Sequence, residues 1–194
     1  MQPLSHSLNP YKKCLHYSKA ALIYDNGEIP SGFYYINSGL VTLKCVSDSG
    51  KDSILRLYQE GEFFGFRSMI SNEKYYASAR ALVECDLTFI RIPSLELLNK
   101  ISPETSSRLF AQLGKELRQA EQRMARIATS KVKERVLDSI YHLINTYPDY
   151  PWTRREIGEY CGSETETIIR VCRQLNSEGR IRISNRKISL PLPS

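Results

Sequence analysis

The most constraining feature of this 194-residue chain is a change of pattern at Pro93. Upstream, from Ala21, apolar residues come in short runs broken by turn formers: "FYYI", Gly39, "LVTLKCV", "SDSGKD", "SILRLY", "EGEFFG", "ARALV" and "LTFIRI". Runs of four to seven residues with regular glycine punctuation predict an antiparallel β-roll or barrel, with a hairpin turn at "DSGK" around Gly50. A β-domain that binds nothing and a ligand sensor both fit this part. Downstream, apolar residues recur at three and four, the period of helices. Two such regimes make the fold class α+β, with a core in each part. Composition agrees: 41% hydrophobic and 25% charged residues exclude a disordered or fibrous chain. No apolar run reaches the ~18 residues of a membrane span, and "MQPLSHSLNPYKKC" lacks the pattern of a cleaved leader, so the expected location is the cytoplasm, with no membrane partner.

A long helix is expected to start at Ser102-Pro103-Glu104, where Ser102 suits the N-cap, Pro103 the first turn and Glu104 the positive helix end. Along it Leu113, Leu117, Ala120, Met124 and Ile127 alternate at four and three, flanked by Lys115, Arg118, Glu121 and Arg123. So narrow a stripe resembles a coiled-coil seam more than a face buried in its own domain, and predicts pairing with a second copy. Thr129-Ser130 interrupts it, and Val132, Val136, Ile140, Leu143 and Tyr147 mark a further helix ended by Pro148 and Pro151. The expected domains are 1–100, a dimerisation helix 101–129, and 130–194.

The stretch "TRREIGEYCGSETETIIRVCRQLNSEGRIRI", Thr153 to Ile183, holds two short helices. Thr153 and Glu156 have capping-box spacing, Gly162 permits a left-handed turn, and a second helix follows from Thr165 to about Leu175. Two short helices across a tight glycine turn make a helix-turn-helix. Burying Ile168, Val171, Cys172 and Leu175 leaves Thr165, Glu166, Ile169, Arg170 and Arg173 outward, types that suit a major groove. After Gly179, "GRIRISNRKISL" predicts a two-stranded wing turning at Ser184-Asn185, with Arg180, Arg182, Arg186 and Lys187 beside phosphates. A net charge of +6 and a pI near 9.1 are compatible with a polyanionic partner.

On these motifs, together with "TSKVKERVLDSIYHLI" and "FYYINSGLVTLKCVSDSGKDSILRLYQEGEFFG", the chain resembles the Crp/Fnr family of bacterial transcription regulators over nearly its whole length. The resemblance implies a cyclic-nucleotide-binding-like β-roll, a long dimer helix and a C-terminal winged helix-turn-helix that binds double-stranded DNA. A homodimer on a palindromic site is implied, with RNA polymerase a further partner for an activator. By resemblance Glu166 and Arg170 match the base-reading pair, and Thr165 and Ile169 stand at neighbouring reading positions. Ile169 departs from the Ser usual in the Fnr-like branch. Thr153, Arg155 and Thr167 match phosphate-contacting positions, joined by Arg173, Arg186 and Lys187.

Cyclic AMP binding in that family needs a Glu for the ribose and an Arg-Ser pair for the phosphate. Here Phe66 stands at the Glu position and Tyr75-Tyr76 where Arg-Ser belongs, with Ala120 and Glu121 at the adenine positions. The expected effector is therefore not cyclic AMP, or none. The candidate residues for any effector pocket are Phe66, Arg67, Tyr75, Tyr76 and Arg80. Cys14 lacks the neighbours an iron-sulfur cluster needs, and His6 and His16 are isolated, so no cofactor or metal is expected. The five cysteines form no C-x-x-C pair, and no nucleophile-base constellation points to an enzyme. The alternative reading is a ligand-binding or scaffold protein that keeps this fold without an operator.

Overall fold

A computed structural model describes residues 4–47, 50–184 and 187–191. The chain forms two compact units, Met1–Gln119 and Ala120–Ser194.

The first unit starts with a 3-10 turn, His6–Tyr11, and continues as β1 Lys12–Tyr17, β2 Leu22–Tyr24, β3 Phe33–Ser38, β4 Leu40–Val46, β5 Asp52–Gln59, β6 Phe63–Phe64, helix α1 Phe66–Ser71, β7 Ser78–Ala81 and β8 Cys85–Ile90. The strands pair antiparallel in two four-stranded sheets, ordered β1-β8-β3-β6 and β2-β7-β4-β5, which is the expected roll. The hairpin at Gly50 joins β4 to β5 with Val46 opposite Asp52, while Asp48 and Ser49 lie outside the described residues.

"FYYI" reads as one continuous apolar run because both faces of β3 are covered. Successive side chains of a strand point oppositely. Tyr34 and Ile36 enter a cluster with Tyr24, Tyr58, Phe64, Tyr75 and Phe89, whereas Phe33 and Tyr35 enter a second one with Phe63, Phe66, Met69 and Leu109. Adjacent Phe63 and Phe64 divide the same way.

Two helices follow, α2 Leu95–Ile101 and α3 Pro103–Thr129. Ser102 caps α3 as its sequence suggests: the Thr105 N–H donates to its Oγ at 3.4 Å. The early part of α3 faces the roll with polar side chains. Gln112 Oε1 accepts from the Phe63 N–H at 3.0 Å, and its Nε2 donates to the Phe63 carbonyl at 2.7 Å. Glu116, 5% exposed, receives the Tyr58 hydroxyl and pairs with Arg56. Among the seam residues Leu113 packs partly against its own unit's second cluster, whereas Leu117, Met124 and Ile127 are 59%, 61% and 49% exposed. Phe110, one step earlier in the same three-four alternation, is also exposed.

The second unit contains α4 Val132–Thr146, α5 Arg154–Cys161, α6 Thr165–Ser177 and the hairpin β9 Arg182–Ser184 with β10 Lys187–Ser189. Its core is Val136, Ile140 and Leu143 against Ile157, Ile168, Val171, Cys172, Leu175 and Ile181. Trp152 closes it, donating its indole N–H to the Leu143 carbonyl at 3.2 Å. Helix α6 extends two residues beyond the expected Leu175. Closure comes at Gly179, in a left-handed conformation, with the Arg180 N–H donating to the Leu175 carbonyl.

Candidate nucleic-acid interface

The turn between α5 and α6 depends on two glycines. Gly162 caps α5 at φ +70°, a left-handed conformation that L side chains rarely adopt. At Gly158 the limit is space: a Cβ there would lie 2.7 Å from the Ser163 carbonyl oxygen. Arg135 of α4 holds the same turn from outside, donating to the Cys161 carbonyl at 3.1 Å, with Ser130 O and Ser163 Oγ each at 3.4 Å. Nothing in its spacing marked Arg135, because its partners lie 26 and 28 residues downstream.

With the apolar side of α6 buried, Glu166 and Arg170 stand one turn apart on its exposed side. Neither makes a hydrogen bond or ion pair among the described residues. Thr165 and Thr167 are half-buried at the start of the helix, Ile169 is half-buried and Arg173 is exposed. Ile169 and Arg173 share a hollow of about 290 Å³ with Arg154, the first residue of α5, which the sequence reading did not single out. The wing is tied to α6 by the Ile183 N–H, which donates to Asn176 Oδ1 at 2.9 Å. Lys187 opens β10 and is exposed, and Asn185 and Arg186 lie outside the described residues.

Two of the expected phosphate contacts are already engaged within the chain. The Thr153 hydroxyl accepts from the Glu156 N–H at 3.2 Å and donates to the Glu156 carboxylate at 2.7 Å. Arg155 bonds Glu159 at 2.8 Å, one helical turn on, where Glu159 is buried and needs a cation. A phosphate at either position would have to share these groups with an existing partner.

The pocket residues expected in the roll do not converge. Phe66 is fully buried in the second cluster, Arg67 and Arg80 are exposed, Tyr76 is 78% exposed, and only Tyr75 enters the first cluster. Tyr75 stacks on Tyr24 with ring centroids 3.7 Å apart, and Tyr24, Tyr34 and Tyr58 surround Phe64. Burial pushes these phenols upward, away from ionisation.

Cys85, Cys161 and Cys172 are buried and their thiols are likewise pushed up. His16 bonds Asp86 at 2.9 Å and His6 sits in the 3-10 turn. Among the described residues no three His, Cys, Asp or Glu side chains gather as a metal site, and no helix is long and apolar enough to cross a membrane.

Residues 14–100 match the family model for the cyclic nucleotide-binding domain. The cAMP-activated global transcriptional regulator CRP of Escherichia coli O6:H1 is 27% identical over 180 residues, covering 88% of this chain and 85% of that one. The structure of a CRP/FNR-family transcriptional regulator of Thermus thermophilus is similar at TM-score 0.76 with 26% identity, covering 92% and 93% of the two chains. That of CLP from Xanthomonas campestris, a c-di-GMP responsive global regulator, has the same fold at TM-score 0.81 and 22% identity over 93% and 94%. With the roll, the long helix and the winged helix-turn-helix in one order, the chain belongs to the Crp/Fnr family of transcription regulators.

Proposed function

We propose that this protein is a sequence-specific DNA-binding transcription regulator that acts as a homodimer on a palindromic site, with no response to cyclic AMP. The observation that carries the reading is the pair Glu166 and Arg170 on the exposed side of α6, with no partner among the described residues. Arg donates two parallel hydrogen bonds to guanine and Glu accepts from the cytosine amino group. A TGA-like core in each half-site suits this pair, with one α6 per half-site. Lys187 and Arg173 neutralise phosphates, and RNA polymerase is the further partner if the regulator activates. The exposed Leu117, Met124 and Ile127 supply the dimer seam, which Phe110 extends backwards. In the roll, a nucleotide phosphate at Tyr75 would meet a stacked phenol instead of a cation, leaving a buried anion uncompensated.

Selection of duplexes from a random library by the purified protein tests this directly. Recovery of an inverted repeat whose half-sites lie about one helical turn apart is expected. Failure to enrich any sequence would favour the ligand-binding or scaffold alternative. In parallel, Leu117→Glu with Met124→Glu should reduce the mass in solution to that of a monomer, and an unchanged dimer mass would assign the seam another role.

A further inference from the structure

The second unit carries a larger hollow, of about 450 Å³, within the size range of small-molecule sites. Ile144 near the end of α4 and the loop after it line one part, Lys187 and Ile188 of β10 another, and Arg154 of α5 completes the lining. Pro148 and Pro151 bracket the loop residues Asp149 and Tyr150, and each ring fixes its own backbone φ, so this wall is held in shape. Tyr150 and Trp152 also line the hollow, with their polar atoms already engaged. The Tyr150 hydroxyl donates to Glu156 and the Trp152 indole N–H donates to the Leu143 carbonyl. Thr153 Oγ1, beside them, is held by Glu156 in the cap of α5. What these side chains offer a guest is therefore carbon, joined by Ile144 and Ile188.

Polar recognition falls to Arg154, Lys187 and Asp149, whose charges leave one net positive charge on the lining. Arg154 is half-buried, and neither it nor Lys187 makes a hydrogen bond or ion pair among the described residues. A guanidinium drawn partly out of water without a carboxylate favours an anionic guest, which it can hold by two parallel hydrogen bonds. The apolar lining gains only from a guest with an apolar body. A nucleotide suits it badly, because its ribose and base edge need donors and acceptors that Tyr150, Trp152 and Thr153 have already committed. We infer that this hollow is a binding site for a small aromatic carboxylate, with its ring among Ile144, Tyr150, Trp152 and Ile188 and its carboxylate on Arg154. Occupation has a consequence that rests on the DNA-binding reading above. Thr153 and Lys187 stand at phosphate-contacting positions, so a guest here competes with the DNA backbone and releases the operator. The effector site then lies in the second unit, while the interior of the roll is filled by its own phenols.

Calorimetry on the full chain tests the site without DNA. The probes are 2-naphthoate, its uncharged amide 2-naphthamide, acetate and adenosine monophosphate. The naphthoate should bind saturably and about tenfold more tightly than the amide, the value of one charge-assisted contact, while acetate and the nucleotide give no isotherm. Arg154→Gln should weaken naphthoate about tenfold and leave the amide unchanged, and Arg154→Lys should recover part of the loss. Ile188→Glu, which adds a carboxylate to the lining, should abolish naphthoate binding. If that change disturbs the wing, the two Arg154 variants decide alone. On the selected duplex, naphthoate should halve the apparent DNA affinity at about its own dissociation constant, with acetate holding the ionic strength equal in the reference titration. No saturable binding of naphthoate, or binding indifferent to Arg154→Gln, would overturn the site. A nucleotide bound as tightly as naphthoate at Arg154 would overturn the ligand class. Naphthoate binding with unchanged DNA affinity would overturn the competition and leave the DNA reading standing. Failure to select any duplex would overturn the DNA reading and the competition together, while the calorimetry still decides the site.

Discussion

In the first unit Tyr24, Tyr34 and Tyr58 turn their rings onto Phe64, and Tyr75 stacks on Tyr24. In the second, Glu166, Arg170 and Arg173 stand outward without partners among the described residues. The roll keeps the architecture of a binding domain and fills its interior with its own aromatic side chains. The helix-turn-helix keeps both its architecture and its unpaired polar groups. A fold and the chemistry usually placed on it are thus separable, even along one chain.

The contrast breaks most visibly if the roll interior is a usable cavity. Tyr75→Ala should cost about 3–5 kcal/mol, as for other large aromatic truncations in cores. Its signature is a lower denaturation midpoint for the roll, and calorimetry on the wild type should show no saturable binding of cyclic AMP. An unchanged midpoint, or a cyclic AMP isotherm in the micromolar range, would return the roll to the binding class. Arg170→Ala sharpens the other side. Loss of a bidentate contact should remove about 1–3 kcal/mol of discrimination at one guanine and leave salt-sensitive, sequence-blind affinity. Equal weakening on matched and guanine-replaced duplexes would make Arg170 a phosphate anchor.

Thr153→Ala separates capping from phosphate binding. Loss of the cap should destabilise the second unit by about 1 kcal/mol in denaturant titrations. If the midpoint held and only DNA affinity fell, the hydroxyl would serve phosphate after all. The smallest effect expected is a pH response. Burial, Arg126 and Arg123 hold His142 below its ordinary pKa, where it stacks on Tyr160. A depressed histidine leaves stability complete above its unfolded pKa of about 6.5, to be lost as pH falls through the folded value. Thermal midpoints of wild type and His142→Gln should therefore draw closer as pH drops from 7 to 5, and a constant difference would assign the stack no part in acid sensitivity.

Much of the backbone was legible because its signals are local. Ser102, Thr153 with Glu156, and Gly162 each act within three or four residues, and each lies where its spacing put it. What was not legible joins distant positions. Gln112 and Glu116 meet Phe63, Tyr58 and Arg56 across half the unit, so the polar docking side of α3 could not be read from its helical period. Arg135 buttresses a turn more than 20 residues away. The same distance hid the packing of Tyr75: its place in the cassette revealed a missing cation, but its stack on Tyr24 needed the sheet. The engagement of Arg155 by Glu159 was readable from their spacing, and the resemblance to phosphate-contacting residues obscured it.

The chain contains one tryptophan, and it lies in the second unit with its indole hydrogen-bonded inside the core. Eight of the twelve tyrosines precede Pro93. Red-edge excitation, which only the indole absorbs, therefore follows the helical unit by its emission colour, while ordinary ultraviolet excitation adds the phenols of the roll. An unlabelled sample thus carries two optical reporters, through which melting of either part can be watched separately.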